Sequence, residues 1–279
     1  MPELAELKLT SDYVNICSES TTYVNVVKNP EHKGEELEIP FKYFKISTES
    51  KGKEMIMTIR DEDSGDKIVV RITMGMSGHF ELTNTGQESK HAHLKFFRKD
   101  GTTLSFVDVR RFGKWKQGVS WNEGRGPDPT TEFEDFKSNI IDNIDRKIFN
   151  KPLYEILMDQ KWFNGIGNYL RAEIVYRAKD VNPFLPANTQ LIKYPEILDM
   201  CRDIPMLAYA KGGGSIKDWD NPFGKDAIQE KFMLCYGNQN MNKIKDKNNR
   251  VFWYDPKWDE LKDWDHYSGL PNLSAYETN

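Results

Sequence analysis

The sequence contains little cysteine and no closely spaced cysteine pair. Its three cysteines, Cys17, Cys201 and Cys235, are scattered over 279 residues, which excludes a disulfide framework and a four-cysteine zinc site. Long apolar runs are also absent, so no segment predicts a membrane-spanning helix. The N-terminus, MPELAELKLT, is too polar for a signal peptide. Together these absences predict a soluble intracellular protein.

An excess of basic charge is missing as well. The 39 Lys and Arg against 43 Asp and Glu give a net charge of −4, which by itself argues against nucleic-acid binding. The charge is unevenly placed, because residues 255–279 hold six acidic and two basic side chains and so carry all of it. Within the neutral remainder, the segments 87–117 and 243–250 have net charges of +5 and +3. Such clusters can bind a polyanion whatever the total charge is.

The order of the patterns predicts an α+β protein of two domains. An amphipathic helix at 3–16 is followed by six β-type runs without helices between them, which predicts a sandwich of antiparallel sheets over residues 1–121. The segment 122–130 contains Gly, Pro and charge without periodicity and is predicted to be a linker.

The pattern becomes helical after the linker. The predicted helices cover 131–148, 151–160, 168–179 and 188–209. The runs FMLCY (232–236) and RVFWY (250–254) predict a β-hairpin that closes a helical domain spanning 131–254. The acidic residues 255–279 are then expected to form a separate tail.

Pro2 is a candidate nucleophile. Methionine aminopeptidases remove Met1 before a small residue, so the mature chain would begin with a free secondary amine. An α-amino group titrates at about 7.7–8.0, well below lysine, and a larger part of it is uncharged at neutral pH. Glu3 and Glu6 share one face of the following helix and could act as acid and base beside the amine. On these residues alone, carboxylates that merely suit the helix dipole are the simpler interpretation.

Two glycine-containing elements suggest contacts with a nucleic acid. The segment FNGIGN (163–168) leads into a helix whose first N–H groups can bind an anion, with Asn168 as the candidate N-cap. The segments MGMSG (74–78) and VRRFG (109–113) fit loops that enter a duplex and replace an extruded base. Surface arginines beside a core phenylalanine would explain the same residues.

Two further features have alternative interpretations. His91 and His93 would share one strand face as a metal pair with His79 nearby, but simple hydrogen bonding is favoured because no cysteine lies close. The glycine run 212–214 after Lys211 predicts a mobile loop, with substrate gating as the alternative.

Together and in this order, the motifs resemble the formamidopyrimidine-DNA glycosylase/endonuclease VIII family, and its zincless-finger endonuclease VIII-like 1 branch in particular. The resemblance extends from Pro2 to about Trp253. Its blocks are the N-terminal Pro-Glu, KGKE (51–54), GMSG (75–78), HAHL (91–94), FVDVRRFG (106–113), FNGIGNYLRAEIVYR (163–177), CYG (235–237) and RVFW (250–253).

The resemblance implies a bifunctional DNA glycosylase and AP lyase of base excision repair that removes oxidised bases, chiefly pyrimidines and ring-opened purines. Pro2 would attack C1′ of the damaged nucleoside and form a Schiff base, and β,δ-elimination would follow. Glu3 would act as the general acid and base with support from Glu6. Lys53 would contact phosphate and assist proton transfer.

The same resemblance implies a set of DNA contacts. Met76, Arg110 and Phe112 would fill the void left by the base, and Lys211 would contact the damaged base. Phosphates would be bound by the helix–two-turn–helix motif, which contains Asn168, and by the zincless finger, whose phosphate-binding residue would be Arg250. His93 completes the implied DNA contacts. Damaged DNA, double-stranded or in single-stranded or bubble form, is the expected partner of a monomer that needs no metal, cofactor or membrane.

The chain departs from the family at three places. Leu4-Ala5 replace the usual pair between the glutamates, Gly213 replaces an aromatic residue, and the short acidic tail resembles nothing in the branch, whose tail is long and basic. Two other classes of protein remain as alternatives. One is a catalytically inactive protein that binds damaged DNA, and the other is a metalloenzyme built on His79, His91 and His93.

Overall fold

The computed structural model describes residues 1–214, 219–224 and 232–261. It begins with helix α1, Leu4–Ser18. The carboxylate of Glu6 accepts the backbone N–H of Glu3 at 2.8 Å and so satisfies one of the amides at the start of the helix. Leu4, Leu7 and Val14 are buried on one face of α1, as the periodicity predicts.

Eight antiparallel strands follow α1 without an intervening helix. Their order in the sheet is β5-β7-β6-β1-β2-β3-β4-β8. The bounds are β1 Tyr23–Lys28, β2 Phe44–Lys51, β3 Glu54–Asp61, β4 Lys67–Thr73, β5 His79–Asn84, β6 Ala92–Arg98, β7 Thr102–Val107 and β8 Lys114–Gln117. The sequence patterns did not indicate β5 and β8. Both lie at an end of the sheet and pair with one neighbour. The burial of β5 does not alternate, and β8 alternates over only four residues, which is too short to stand out in the sequence.

The sheet folds into two layers around a common core. Strands β1 and β2 pair at Tyr23 and Phe44, where the two rings stack at 5.8 Å. From this narrow joint the two halves fold over each other, and Phe106 of β7 meets Trp115 of β8 with ring centroids 6.0 Å apart. The predicted antiparallel sandwich is therefore confirmed.

The second half of the chain is helical and has its own core. Its helices are α2 Phe133–Ile141, α3 Leu153–Ile156, α4 Asn168–Arg177, α5 Ala187–Lys193 and α6 Glu196–Ala210, with a 3₁₀ helix at Lys147–Asn150. Together, α3 and α4 flank the turns of the helix–two-turn–helix. The largest fully buried side chain of this core is a charged one, Arg171.

Three of the predicted helices are wrong in extent. The helix expected over 131–148 ends at Ile141, and turns precede the 3₁₀ helix. The helix expected over 151–160 is helical only within α3. The long helix predicted over 188–209 is broken between α5 and α6 at Tyr194 and Pro195, because proline lacks an N–H and disfavours helical backbone in the residue before it.

A two-stranded hairpin completes the helical domain, but with a different first strand from the one predicted. Strand β9, Asn242–Lys245, pairs with β10, Val251–Tyr254. The segment FMLCY is not a strand, because the carboxylate of Glu173 accepts the backbone N–H groups of Leu234, Cys235 and Tyr236 at 2.8–3.1 Å. These amides are therefore satisfied without a neighbouring strand.

The packed structure continues beyond the domain end predicted at residue 254. A 3₁₀ helix spans Pro256–Leu261, and Trp258 packs against the helical core. Asp259 accepts hydrogen bonds from Asn242 at 2.6 Å and from Tyr254 at 2.9 Å, at the end of the hairpin away from its turn. The rest of the predicted tail, 262–279, lies outside the described residues. Among the helices of the described segments, none is long and apolar enough to cross a membrane.

The predicted linker, 122–130, is anchored to both halves of the molecule. Asp128 is buried and accepts the backbone N–H of Gly52 in the β2–β3 turn at 2.6 Å. Its other carboxylate oxygen accepts the N–H and the hydroxyl of Thr130 at 2.7 and 2.6 Å. Beside it, Lys51 forms an ion pair with Glu132 at 2.8 Å. The β2–β3 turn is thus held against the helical domain.

We expect Asp128→Ala to lower the free energy of unfolding by about 1–3 kcal/mol, because it leaves buried N–H groups without an acceptor. Urea denaturation measures the change. The control is Asp61→Ala, which removes a similar turn bond to Ser64 at 2.8 Å in an exposed hairpin and should cost much less. Equal losses in the two variants would contradict the anchoring role.

Candidate active site

The carboxylate of Glu3 lies at the start of helix α4. It accepts the backbone N–H groups of Tyr169 at 2.9 Å and Leu170 at 3.1 Å. The first amides of a helix have no partner within the helix and carry the positive end of its dipole. The FNGIGN segment therefore does form an anion site, and part of it is occupied by a carboxylate of the chain itself.

Gly167, and not Asn168, is the N-cap of α4, which corrects the prediction for Asn168. The Asn168 amide group instead donates to the carbonyl of Val251 at 2.8 Å, and its oxygen accepts from Arg171 at 2.6 Å. Asn168 thus connects the start of α4 to strand β10.

Glu6 is fully buried behind Glu3 and joins three parts of the chain. Its carboxylate accepts the N–H of Glu3 at 2.8 Å, the hydroxyl of Tyr169 at 2.9 Å and the N–H of Gly214 at 2.8 Å. One carboxylate thereby connects the N-terminus, helix α4 and the glycine run that follows α6.

Lys53 reaches the same place from the sheet of the N-terminal domain. It lies in the turn between β2 and β3, and Gly52 beside it has a φ of 56° that suits glycine. The Lys53 ammonium donates to the carbonyl of Ile166 at 2.8 Å. A Cβ atom on Gly167 would come within 2.5 Å of both Lys53 Nζ and Glu3 Oε1. The absence of a side chain at residue 167 therefore leaves the space that these two groups occupy.

Burial shifts the protonation equilibria of all three groups. Burial raises the pKa of Glu3, although Lys53 and the two helix amides oppose this shift. Burial and the nearby charge of Glu3 raise the pKa of Glu6 to about 7. Burial lowers the pKa of Lys53 to about 8, against the attraction of Glu3. A carboxyl that retains a proton more readily and an amine that loses one more readily are suited to proton transfer near neutral pH.

Glu3 and Lys53 face a cavity of about 440 Å³ between the two domains, whereas Glu6 lies behind Glu3 and does not line it. Pro2 is buried next to Glu3, and Met1, which precedes it, lines the cavity. Four other predicted site residues, Lys53, Met76, Asn168 and Arg250, line the cavity with Glu3. The remaining residues of its wall are Met1, Met158, Tyr169, Tyr236 and Val251.

The two predicted duplex-entering loops lie side by side and are held by one buried carboxylate. Asp108 accepts the hydroxyl of Ser77 at 2.5 Å, the N–H of Arg110 at 3.1 Å and the N–H of Gly113 at 2.6 Å. Phe112 is 52% exposed, and the Arg110 guanidinium lies 5.1 Å from the centre of its ring. Buried polar atoms thus shape the loop, and a large apolar side chain projects into solvent.

His93 does not lie on the surface, where a residue that contacts DNA directly would be expected. It is fully buried, and its Nε2 atom bonds to the carbonyl of Asp108 at 2.8 Å. His91 lies just before β6, which begins at Ala92, so it does not share a strand face with His93 as expected. The ring of His93 lies 4.8 Å from that of His32. Across the described ranges, no group of three His, Cys, Asp or Glu residues could hold a metal ion.

The last two predicted DNA-binding residues occupy different surroundings. Arg250 is exposed at the end of the β9–β10 turn and lines the cavity. Lys211 lies directly after α6, where its N–H bonds to the carbonyls of Leu207 and Ala208. It does not line the cavity of about 440 Å³.

The structure adds residues that motif reasoning did not select. Tyr169, Asp108 and Asp246 bind other polar groups of the site or its loops. Tyr169 and Asp108 lie inside the quoted motif blocks, directly after Asn168 and two residues before Arg110, so their position in the sequence was a usable signal. The sequence holds no such signal for Asp246, because a single acidic residue within a basic segment does not indicate a structural role.

Comparisons with known proteins agree with this geometry. The fold is shared with the MutM (Fpg) protein of Thermus thermophilus (TM-score 0.74, 21% identity, 92% of this chain and 98% of that one). It is also shared with Lactococcus lactis Fpg in complex with DNA containing an oxidised pyrimidine (TM-score 0.75, 22% identity, 92% and 99%). The model of the formamidopyrimidine-DNA glycosylase N-terminal domain matches residues 1–115.

The sequence relatives are closer in identity. Human endonuclease 8-like 1 is 32% identical over 91% of this chain and 72% of that protein. A formamidopyrimidine-DNA glycosylase of Streptococcus thermophilus is 30% identical over 63% of this chain and 66% of that protein. The fold and site define a protein of the Fpg class. The chain belongs to the formamidopyrimidine-DNA glycosylase/endonuclease VIII family, and the resemblance inferred from its motifs is confirmed.

The raised pKa of Glu6 makes stability depend on pH in a defined direction. Between its ordinary value of 4.5 and about 7, the folded chain retains a proton on Glu6 that the unfolded chain releases. This contribution to stability is therefore complete below pH 4.5 and is lost as the pH rises through about 7. We expect Glu6→Gln to lose less stability than the unchanged chain between pH 5 and pH 8.

Urea denaturation at several pH values measures this difference. Glu19→Gln is the control, since it removes an exposed carboxylate at the end of the same helix. It should retain the pH dependence of the unchanged chain. Parallel curves for the Glu6→Gln variant and the unchanged chain would show that Glu6 does not bind the additional proton.

Proposed function

We propose that this chain is a DNA glycosylase and AP lyase that removes oxidised bases with Pro2 as the nucleophile. One observation carries the proposal: Glu3 at the start of α1 and Lys53 in the β2–β3 turn meet beside the N-terminus at a cavity of about 440 Å³. The family membership and the printed activities of the relatives support it, as does the likeness to Fpg bound to lesion-containing DNA.

The reaction begins at the amine that becomes free when Met1 is removed. The Pro2 nitrogen forms a bond to C1′ of the damaged nucleoside, and the bond from C1′ to the base breaks with its electron pair leaving on the base. The base takes up the proton that the amine loses. A secondary amine is suited to this step because the next intermediate is an iminium ion, a cation that withdraws electrons from the sugar.

Glu3 supplies the next proton. Its raised pKa favours a protonated carboxyl, which donates to the ring oxygen O4′ as the C1′–O4′ bond breaks and the iminium forms. The resulting carboxylate then accepts a proton from C2′, and the 3′ phosphate leaves. A second elimination releases the 5′ phosphate. Lys53, whose pKa is lowered to about 8, remains mostly protonated at pH 7 and stabilises phosphate oxygens beside the sugar.

Three side chains at or beside the cavity account for access to the base. Extrusion of a base costs a few kcal/mol. We assign Met76, Arg110 and Phe112 to the space that it leaves, since Met76 lines the cavity and Phe112 projects from the adjoining loop. His93 is buried below this loop, so its contribution to DNA binding would be to hold the carbonyl of Asp108. Arg250 would bind phosphate beside the cavity.

The remaining assignments follow from the substrate. Oxidised pyrimidines and ring-opened purines are the proposed lesions, with Lys211 as the residue that contacts the base from the loop after α6. The proposed reaction uses groups of one chain, and a monomer is the proposed active form. A protein that repairs DNA acts inside the cell, and the proposed mechanism requires no metal or cofactor.

Borohydride trapping tests the proposal directly. The mature chain is incubated with a duplex that contains an abasic site, reduced, and digested for mass spectrometry. We expect a covalent adduct at Pro2 and, with an oxidised pyrimidine in place of the abasic site, release of the base.

The matched control is a chain with one additional glycine ahead of Pro2, in which the proline nitrogen is an amide and cannot form an iminium. It should bind the duplex without forming the adduct. An adduct at a lysine, or DNA binding by the mature chain without any adduct, would exclude the proposed lyase and favour an inactive damage-binding protein.

We expect Gly167→Ala to lower the trapping rate by about a hundredfold. It should also lower the free energy of unfolding by about 1–3 kcal/mol, because displacing the Glu3 carboxylate leaves two buried helix amides without an acceptor. Residue 167 has a φ of −132°, which any residue adopts, so the added methyl group acts by displacing Glu3 and Lys53. Single-turnover kinetics and thermal unfolding measure the two effects. Gly124→Ala, where the nearest atom is 3.2 Å away at the end of an asparagine side chain, should leave the rate unchanged. A full rate in the Gly167→Ala variant would show that the two groups need no such space.

A further inference from the structure

The turn between β9 and β10 carries Arg250 but has little packing of its own. Residues 247–250 are exposed, and each strand has four residues. An isolated two-stranded hairpin of this size is marginally stable in water. Asn249 also has a φ of 59°, in the left-handed region. Polar contacts beneath the turn must therefore define its conformation.

Asp246 is the buried residue of this turn. One of its carboxylate oxygens accepts the backbone N–H groups of Asn248 and Arg250, each at 2.9 Å. The N–H of Asp246 also donates to the carbonyl of Arg250 at 2.9 Å. One residue therefore holds both the N–H and the C=O of Arg250.

The other carboxylate oxygen of Asp246 lies 3.0 Å from a guanidinium nitrogen of Arg171 on helix α4. The side chain of Arg171 is fully buried, and its guanidinium lies 5.2 Å from the centre of the Phe252 ring. A buried carboxylate requires such a charged partner, and a buried guanidinium requires several acceptors.

Arg171 also acts on the far side of Arg250. Its second nitrogen donates to the Asn168 oxygen at 2.6 Å, so the Asn168 amide nitrogen faces the carbonyl of Val251 and donates to it at 2.8 Å. The residue after Arg250 is thereby held by the same guanidinium. Arg171 and Asp246 together define the backbone on both sides of Arg250.

We infer that the buried Arg171–Asp246 ion pair positions Arg250 for phosphate binding by setting the conformation of the 246–250 turn. Both are positioning residues, because neither lines the cavity where Arg250, Lys53 and Glu3 meet. The inference depends on the proposed function for one point only, namely that the ligand of Arg250 is a DNA phosphate. The effect on the turn itself can be measured without DNA.

The first experiment measures amide hydrogen exchange in the absence of DNA. We expect Asp246→Ala to increase exchange at Asn248 and Arg250 at least tenfold. Asp246→Asn retains the side-chain volume but loses the charge opposite Arg171, and it should show a smaller increase. The control is Asp259→Asn, which removes a carboxylate from the other end of the same hairpin and should leave these two amides unchanged. Unchanged exchange in both Asp246 variants would overturn the inference.

The second experiment measures the salt dependence of binding to an abasic-site duplex. Loss of one phosphate contact lowers the slope of log K against log salt by about 0.9. We expect this reduction in Arg250→Ala and in Asp246→Ala, with no further reduction in the double variant. Loss of folded protein alone would lower the active fraction and leave the slope unchanged.

The outcomes separate the two levels of inference. An unchanged slope in Asp246→Ala, or additive reductions in the double variant, would show that Asp246 does not act through Arg250. If the mature chain forms no adduct with abasic DNA, the proposed lyase fails, while the exchange experiment still decides whether the ion pair sets the turn.

Discussion

The contact on which the site depends is the one between the carboxylate of Glu3 and the first amides of α4. Glu3 belongs to the N-terminal domain, and the amides of Tyr169 and Leu170 belong to the helical domain. Beside it, the N–H of Leu4 donates to the carbonyl of Gly165 at 3.1 Å, and Lys53 donates to that of Ile166. The domains therefore meet through the groups proposed to act in catalysis, and the interface that orients the domains also orients these side chains.

This arrangement has an electrostatic consequence. The helix dipole and Lys53 favour the charged form of Glu3, whereas burial disfavours it more strongly. The second buried carboxyl, Glu6, also has a raised pKa, in part because a negative charge on it would lie close to that of Glu3. Proton affinity in the site is thus set by which chain segments are packed together, and the raised pKa of Glu3, the proposed acid, results from the domain interface.

Buried carboxylates shape the surface elsewhere in the molecule as well. Asp108 holds the loop that carries Arg110 and Phe112, Asp246 holds the turn that carries Arg250, and Glu173 holds the amides of 234–236. A carboxylate can accept several N–H groups at once, and such charge-assisted bonds are short and strong. Loops without regular secondary structure can therefore be held in one conformation while their large side chains extend from the surface.

Much of this could be predicted from the sequence alone. The amphipathic helix α1, the alternating strands of the sandwich and the start of α4 follow local rules, and the motif blocks were sufficient to identify the family and to select Pro2, Glu3 and Lys53. The edge strands β5 and β8, the break at Pro195 and the partner of β10 were not predicted correctly. The break had a local signal in Pro195 itself. The edge strands and the partner of β10 depend instead on which remote group satisfies a backbone amide or covers an apolar side chain, as Glu173 does for the segment that had been expected to be a strand. The sequence by itself determined the residue types and the local elements. Only the tertiary structure decided that Glu6, Tyr169 and Gly214 meet and that Arg171 lies under Arg250, because these contacts join residues far apart in the chain and their energies depend on burial that no local pattern records.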